Sequence, residues 1–146
     1  MRWESLCSAE GDAPADAVWD AIVDGRRWAF WNDRFEWMWL EGPLERGAVA
    51  TLKPRRYRQT AFVVKEVEPP RRLRLETSFG PVARVALTFE VQARAAGARV
   101  THQVLVDGPL GGLALRMIGR RLAAGWDAAL PRLIEYAAGR TKEEAR

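Results

Sequence analysis

The spacing of apolar residues changes character twice along this chain, and each change marks a different kind of element. Residues 1–9 alternate loosely and read as a strand. In residues 14–24, Val18 and Ile22 stand four apart with Ala21 beside them, and Pro14 suits a first helical turn, so a short helix is predicted there. Gly25 stops it. Residues 26–31 predict a second short helix that ends near Asn32 and carries Trp28 and Trp31 three residues apart. From residue 35 the period becomes two, giving six strands at 35–41, 47–53, 59–68, 72–78, 82–93 and 98–106. Their links are short turn sequences such as Gly42-Pro43, Pro69-Pro70 and Gly80-Pro81, which imply antiparallel neighbours and a meander. After Gly108-Pro109 a helical period returns, and Leu115, Ile118, Leu122, Trp126, Leu130 and Leu133 form one apolar stripe. A helix over 109–138 would extend about 45 Å, with Pro131 expected to kink or divide it. Gly139 is expected to end it, leaving a charged tail at 140–146 without fixed structure beyond a single domain at 1–139.

Alternation sorts each strand into two faces. Leu73, Leu75 and Thr77 oppose Arg72, Arg74 and Glu76; Ala83, Val85, Leu87, Phe89 and Val91 oppose Arg84, Thr88 and Glu90. Val100, His102, Val104 and Val106 likewise oppose Arg99, Thr101 and Gln103. In 35–41 two arrangements are open: Met38 and Leu40 inward with Trp37 and Trp39 outside, or the reverse. The fold class is therefore α+β, a curved seven-stranded antiparallel sheet wrapped around the C-terminal helix, the only element long enough to cover the apolar face. A straight helix cannot follow a twisted wall along its whole length, so a gap lined by apolar side chains is expected between them.

Composition narrows the chemistry. The chain has 146 residues, 48% of them apolar, which suits one domain with a real core. Cys7 and His102 are the only cysteine and histidine, so an intrachain disulfide, a zinc cluster and a two-histidine iron site are excluded within one subunit, and neither metal nor cofactor is expected. No Gly-x-Ser-x-Gly elbow accompanies His102. The net charge of +4 comes from short arginine clusters broken by acids, which reads as a solvated surface and makes nucleic acid a poor partner. Lys53, Lys65 and Lys142 are the only lysines among 23 basic residues, so twenty are arginine, a bias expected of a GC-rich bacterial genome. No apolar run approaches the ~20 residues of a membrane span and no secretory leader opens the sequence, so a cytoplasmic location is expected.

Several local sequences carry a family resemblance. Ala13-Pro14-Ala15-Asp16-Ala17-Val18-Trp19, then Trp28 and Trp31-Asn32, look like the start of a first helix and a tryptophan-bearing turn. Gly42-Pro43-Leu44 with Gly47, Val67-Glu68-Pro69-Pro70-Arg71-Arg72-Leu73, Gly97-Ala98-Arg99-Val100-Thr101-His102 and Gly108-Pro109 follow in order. Over residues 3–138 this resembles the START-like (SRPBCC) superfamily, and within it the polyketide cyclase/dehydrase and lipid-transport branch. The resemblance implies a helix-grip fold with a cavity between sheet and long helix for a hydrophobic or amphipathic small molecule, such as a lipid, polyketide or quinone. It also implies that some relatives cyclise or dehydrate the guest while many carry or sense it.

The residues expected to line that cavity are Trp28, Trp31, Met38, Leu40, Leu75, Leu87, Phe89, His102, Val104, Leu115, Ile118, Leu122 and Trp126. His102, set among valines, has three readings: a satisfied core histidine, a polar contact that orients a guest, or, in the alternative function of a polyketide cyclase/dehydratase, the general acid/base. Four of the seven tryptophans fall between residues 28 and 39, where they serve as core packing or as a cavity rim; placed outside, Trp37 and Trp39 would offer a partner or homodimer surface. Arg116, Arg120, Arg121 and Arg132 on the terminal helix allow a transient membrane contact. Cys7 reads as an inert small hydrophobe.

Overall fold

The computed structural model describes residues 1–144. The chain runs β1 (Arg2–Gly11), α1 (Ala15–Val23), a 3-10 helix (Gly25–Phe30), β2 (Phe35–Glu41), β3 (Val49–Pro54), β4 (Thr60–Glu68), β5 (Arg72–Phe79), β6 (Ala83–Arg94), β7 (Gly97–Asp107), α2 (Gly112–Ala123) and α3 (Trp126–Glu144). The expected strands and short helices are all present, with ends displaced by a residue or two. Strands β2 to β7 form the meander, and β1 closes the order β1-β7-β6-β5-β4-β3-β2 by pairing with β7, every pair antiparallel. The sheet curls into a half-barrel around the helical segment, an α+β arrangement of the helix-grip kind.

Register explains the two-faced sheet. Leu73 pairs with Phe89, Phe89 with His102 and His102 with Cys7; the next row is Leu75, Leu87, Val104 and Ser5. Antiparallel partners point to the same side, so these rows build one continuous apolar wall. The opposite face carries charge-pair chemistry: Arg72 bridges Glu66 at 2.6 Å and also engages Glu90, and Arg74 meets Glu76 at 3.2 Å. These side chains are half-exposed, and such pairs contribute little to stability. Burial of the inner wall carries the fold: Val64, Leu75, Phe89, Val100, Val106, Leu130 and Leu133 have essentially no exposed surface.

The C-terminal segment departs from the expected single helix. It divides at Ala124 and Gly125, not at Pro131. Ala124 is extended (φ −60°, ψ 131°) and Gly125 takes φ +87°, a left-handed conformation open to glycine at little cost. Pro131 lies inside α3 near its start, where its ring removes only the bond to the Asp127 carbonyl, and Asp127 is exposed. Nor does Gly139 end the helix, which continues to Glu144. Thr141 Oγ1 donates to the Ala137 carbonyl at 3.0 Å, and Arg140 reaches Asp24 at 3.2 Å. Residues 140–144 are thus helical where an unstructured tail was expected; 145 and 146 lie outside the described residues. No helix among the described residues is long and apolar enough to cross a membrane.

Helix α2 lies so close to β1 that a Cβ built on Gly119 would stand 2.0 Å from the Trp3 ring, whereas one on Gly139 meets nothing within 4 Å. Removing a glycine from a helix gains about 1 kcal/mol of propensity, and overpacking costs about 1–3 kcal/mol. Urea denaturation should therefore show Gly139→Ala more stable than the parent protein by up to about 1 kcal/mol, and Gly119→Ala less stable because the clash outweighs the propensity gain. Equal stabilisation by both substitutions would contradict the close α2–β1 contact.

Candidate functional site

Trp126, the first residue of α3, places its side chain against the inner wall directly after the Gly125 break. Its ring stacks on His102 with centroids 3.8 Å apart and planes 15° from parallel. Phe89 meets it at 5.4 Å, Phe35 at 5.6 Å, Trp28 at 5.9 Å and Trp31 at 6.1 Å. Phe89 also turns an edge to His102 at 4.6 Å. Trp28 touches Trp31, Phe35 and Phe89, and its Nε1 donates to the Ile22 carbonyl at 2.8 Å. Tilted and edge-on contacts dominate, as ring quadrupoles prefer. Trp28, Trp31, Phe89, His102 and Trp126 are each at most 1% exposed. At the level of His102 the expected gap is therefore occupied by the protein's own aromatic side chains, because the helix break lets Trp126 reach across to the wall.

Among the described residues four buried side-chain polar atoms have no hydrogen-bond partner; Thr88 Oγ1 and Tyr136 Oη are two, and the others, His102 Nε2 and Trp31 Nε1, belong to rings that both touch Trp126. Burial lowers the His102 pKa to about 3, so its imidazole is neutral at physiological pH. Cys7, the cross-strand partner of His102, has its thiol pKa raised by burial and, to a smaller extent, by the charge of Asp127. It is held protonated, in keeping with an unreactive hydrophobe. Among the described residues no group of three His, Cys, Asp or Glu side chains converges as a metal site would require.

The other expected lining residues are spread along the same wall. Leu75, Leu87 and Val104 are fully buried in one cross-strand row. Met38 is buried on β2, and Leu40 beyond it is half-buried against the core. Leu115 is buried from α2, while Ile118 and Leu122, also on α2, are half-buried. The open question in β2 resolves to Met38 inward: Trp39 is 46% exposed with the Arg26 guanidinium 5.0 Å from its ring centre. Trp37, Trp39, Met38 and Arg26 line a surface concavity of about 400 Å³. A second surface concavity, about 660 Å³, lies between the start of α1 and the β4–β5 turn, with Ala15, Arg71 and Arg94 among its lining residues.

Phe35 belongs to the aromatic group although strict alternation sets it on the face of Trp37 and Trp39. The register shifts between Phe35 and Trp37, so Glu36 is an extra residue that turns Phe35 back to the inner face. Nothing in the sequence signals that bulge.

Around the helix break, three contacts tie neighbouring loops to both helices. The Arg34 side chain lies against Gly125, Asp33 pairs with Arg132 of α3 at 3.4 Å, and Arg121 of α2 sits 5.6 Å from the centre of the Tyr57 ring. The loops themselves are joined by a bond from the Arg55 nitrogen to the Arg34 carbonyl at 3.0 Å.

Comparison with known proteins agrees with this architecture. A protein from Nitrosomonas europaea is 16% identical, with a TM-score of 0.71 over 98% of this chain and 97% of its own. The Zhui aromatase/cyclase from a Streptomyces species is 13% identical, with a TM-score of 0.70 over 97% and 96%. The di-domain aromatase/cyclase BexL is 17% identical, with a TM-score of 0.74 over 94% of this chain, which spans 50% of that longer protein. At these identities the likeness is one of fold. No curated protein matches the sequence. The family described as polyketide cyclase/dehydrase and lipid transport matches residues 8–138, which is nearly the whole sheet and helical segment described above, and the chain belongs to that family.

Proposed function

We propose that the protein binds a hydrophobic or amphipathic small molecule, a lipid, polyketide or quinone, between the inner face of its sheet and the C-terminal helices. The observation that carries this reading is the pair of unpartnered polar atoms, His102 Nε2 and Trp31 Nε1, buried among aromatic rings. A buried polar atom without a partner costs roughly 1–3 kcal/mol. A guest bearing a carbonyl or hydroxyl oxygen would relieve that cost: Trp31 Nε1 can only donate, while the neutral His102 ring donates from one nitrogen and accepts at the other. An unfunctionalised hydrocarbon would relieve neither. Apolar burial would supply most of the affinity, at roughly 25 cal/mol per Å². Room for the guest would come from displacing Trp126, the residue that directly follows the Ala124–Gly125 break.

A second reading, cyclisation or dehydration of a polyketide-like guest with His102 as general acid/base, draws support from the family to which the chain belongs. It meets an obstacle in the site itself. With a pKa of about 3 the imidazolium is scarcely populated near neutrality, and the neutral ring is a weak base, so proton transfer is poorly matched to pH 7.

Native mass spectrometry of the purified protein, followed by titration with a fatty acid, a quinone and an aromatic polyketide while tryptophan fluorescence is read, tests the binding. A guest that quenches the Trp28–Trp31–Trp126 group is expected. His102→Leu should weaken an oxygen-bearing guest about tenfold, the equivalent of one hydrogen bond. Absence of an adduct and of quenching with every compound would overturn the reading. Turnover undiminished in His102→Leu would remove His102 from any catalytic role.

The depressed His102 pKa also predicts a pH dependence of stability. The unfolded ring takes up its proton near pH 6.5 and the folded ring only near 3. The unfolded state therefore binds more protons in between, and the stability linked to this group is complete above pH 6.5. It is lost as pH falls towards 3, by up to about 1.4 kcal/mol per unit. In chemical denaturation at stepped pH, the parent protein should lose stability faster than His102→Leu across that window. Parallel curves would show that the ring is not sealed from protons.

A further inference from the structure

We propose that α2, together with the β5–β6 turn, is a docking surface for an anionic membrane. Among the described residues ten large hydrophobic side chains are exposed by more than about a third, and five sit at this end of the molecule: Leu113 (74%), Met1 (73%), Met117 (65%), Phe79 and Val82. The topology brings them together. Val82 O lies against Gly108, the N-terminal nitrogen of Met1 donates to the Gly108 carbonyl at 3.0 Å, and the Met1 side chain ends beside Gly112 at the start of α2. Leu113 and Met117 are one helical turn apart on the exposed side of α2, opposite the buried Leu115 and Gly119. Isolated exposed apolar residues need no explanation, but a group of this kind on one surface does.

Charge identifies the partner. From Gly108 to Trp126 the chain has no acidic residue, while Arg116, Arg120 and Arg121 all project from α2 and are exposed. Among the described residues none of the three takes part in an ion pair; Arg121 rests over the Tyr57 ring. Among the described residues about half of the other arginines are paired, Arg72, Arg74, Arg132 and Arg140 among them, so what distinguishes α2 is that its three exposed arginines share one helix, without an acid, with exposed Leu and Met. Unneutralised guanidiniums flanking exposed Leu and Met side chains match a layer with anionic headgroups above acyl chains, into which a helix can lay its apolar edge. A second copy of the chain would set these arginines against one another, so the charge favours a lipid surface over self-association. This docking surface does not depend on what the interior binds.

Co-sedimentation with vesicles of phosphatidylcholine alone, and with increasing phosphatidylglycerol, tests the proposal. Binding should rise with the phosphatidylglycerol fraction and fall as salt is raised. Arg116→Glu and Arg120→Glu should each weaken it at least about fivefold, the effect of removing one basic residue near such a surface. The double substitution Leu113→Asp with Met117→Asp should remove measurable binding. Leu6→Asp, on the exposed outer face of β1, should leave binding unchanged. All five positions are solvent-exposed, so thermal unfolding should show the variants as folded as the parent. The proposal fails if no vesicle is bound, if phosphatidylcholine is bound as well as phosphatidylglycerol, or if the α2 variants bind like Leu6→Asp. It fails equally if light scattering finds a dimer that Leu113→Asp dissolves, since the patch would then belong to a second copy.

Discussion

The architecture depends on covering the inner face of a curled sheet with a helical segment that the chain supplies only once. Seven strands present one continuous apolar wall, and water must be kept from it along its whole length. A rigid rod would touch such a wall at one place and leave the rest open. Breaking the rod at Ala124 and Gly125 lets α2 settle on β1 and β7 while α3 leans towards α1 and β1. Trp126, at the break, fills the space over Phe89 and His102 that neither helix can reach with its backbone. Packing of the interior and position of the break are thus one constraint.

Much of the architecture was readable because it rests on period and turn chemistry. The two-residue alternation from residue 72 to residue 106 sorted inner from outer side chains as the register does, and the short Gly- and Pro-containing links forced the meander. What escaped was local and depended on tertiary contact. Pro131 is the stronger helix breaker by intrinsic propensity, yet the break falls at Gly125, where a left-handed backbone lets Trp126 turn inward and the Arg34 side chain packs against the chain. Gly139 reads as a stop, but Arg140 and Thr141 find partners that carry the helix onward. The inner location of Phe35 hinges on one extra residue in β2, and a bulge is set by neighbouring strands, not by the residue that forms it.

The candidate site shows the same division. That His102 faces inward among valines followed from alternation alone, and Trp28, Trp31, Phe89 and Trp126 were recognisable as large rings on faces that converge. Their mutual stacking, the loss of basicity at His102 and the two polar atoms left without partners are properties of assembled packing. No spacing rule reports whether a buried ring nitrogen has found an acceptor. The interior therefore combines a densely filled aromatic centre with polarity that the protein's own groups do not satisfy, and this contrast, more than the fold, gives the site its chemical character.

The pairing of β1 with β7 bears on how the molecule is made. Strand β1 has Trp3 opposite Val106 and Cys7 opposite His102, so it must wait for nearly a hundred further residues before it can pair with β7. Long-range closure of this kind slows folding. Until β7 emerges, the nascent chain holds an apolar strand with an open hydrogen-bonding edge, and β6 has one flank bare as well. Such an intermediate is prone to pair with its neighbours on crowded ribosomes, and the arrival of β7 covers both bare edges at once because it pairs with β1 on one side and β6 on the other.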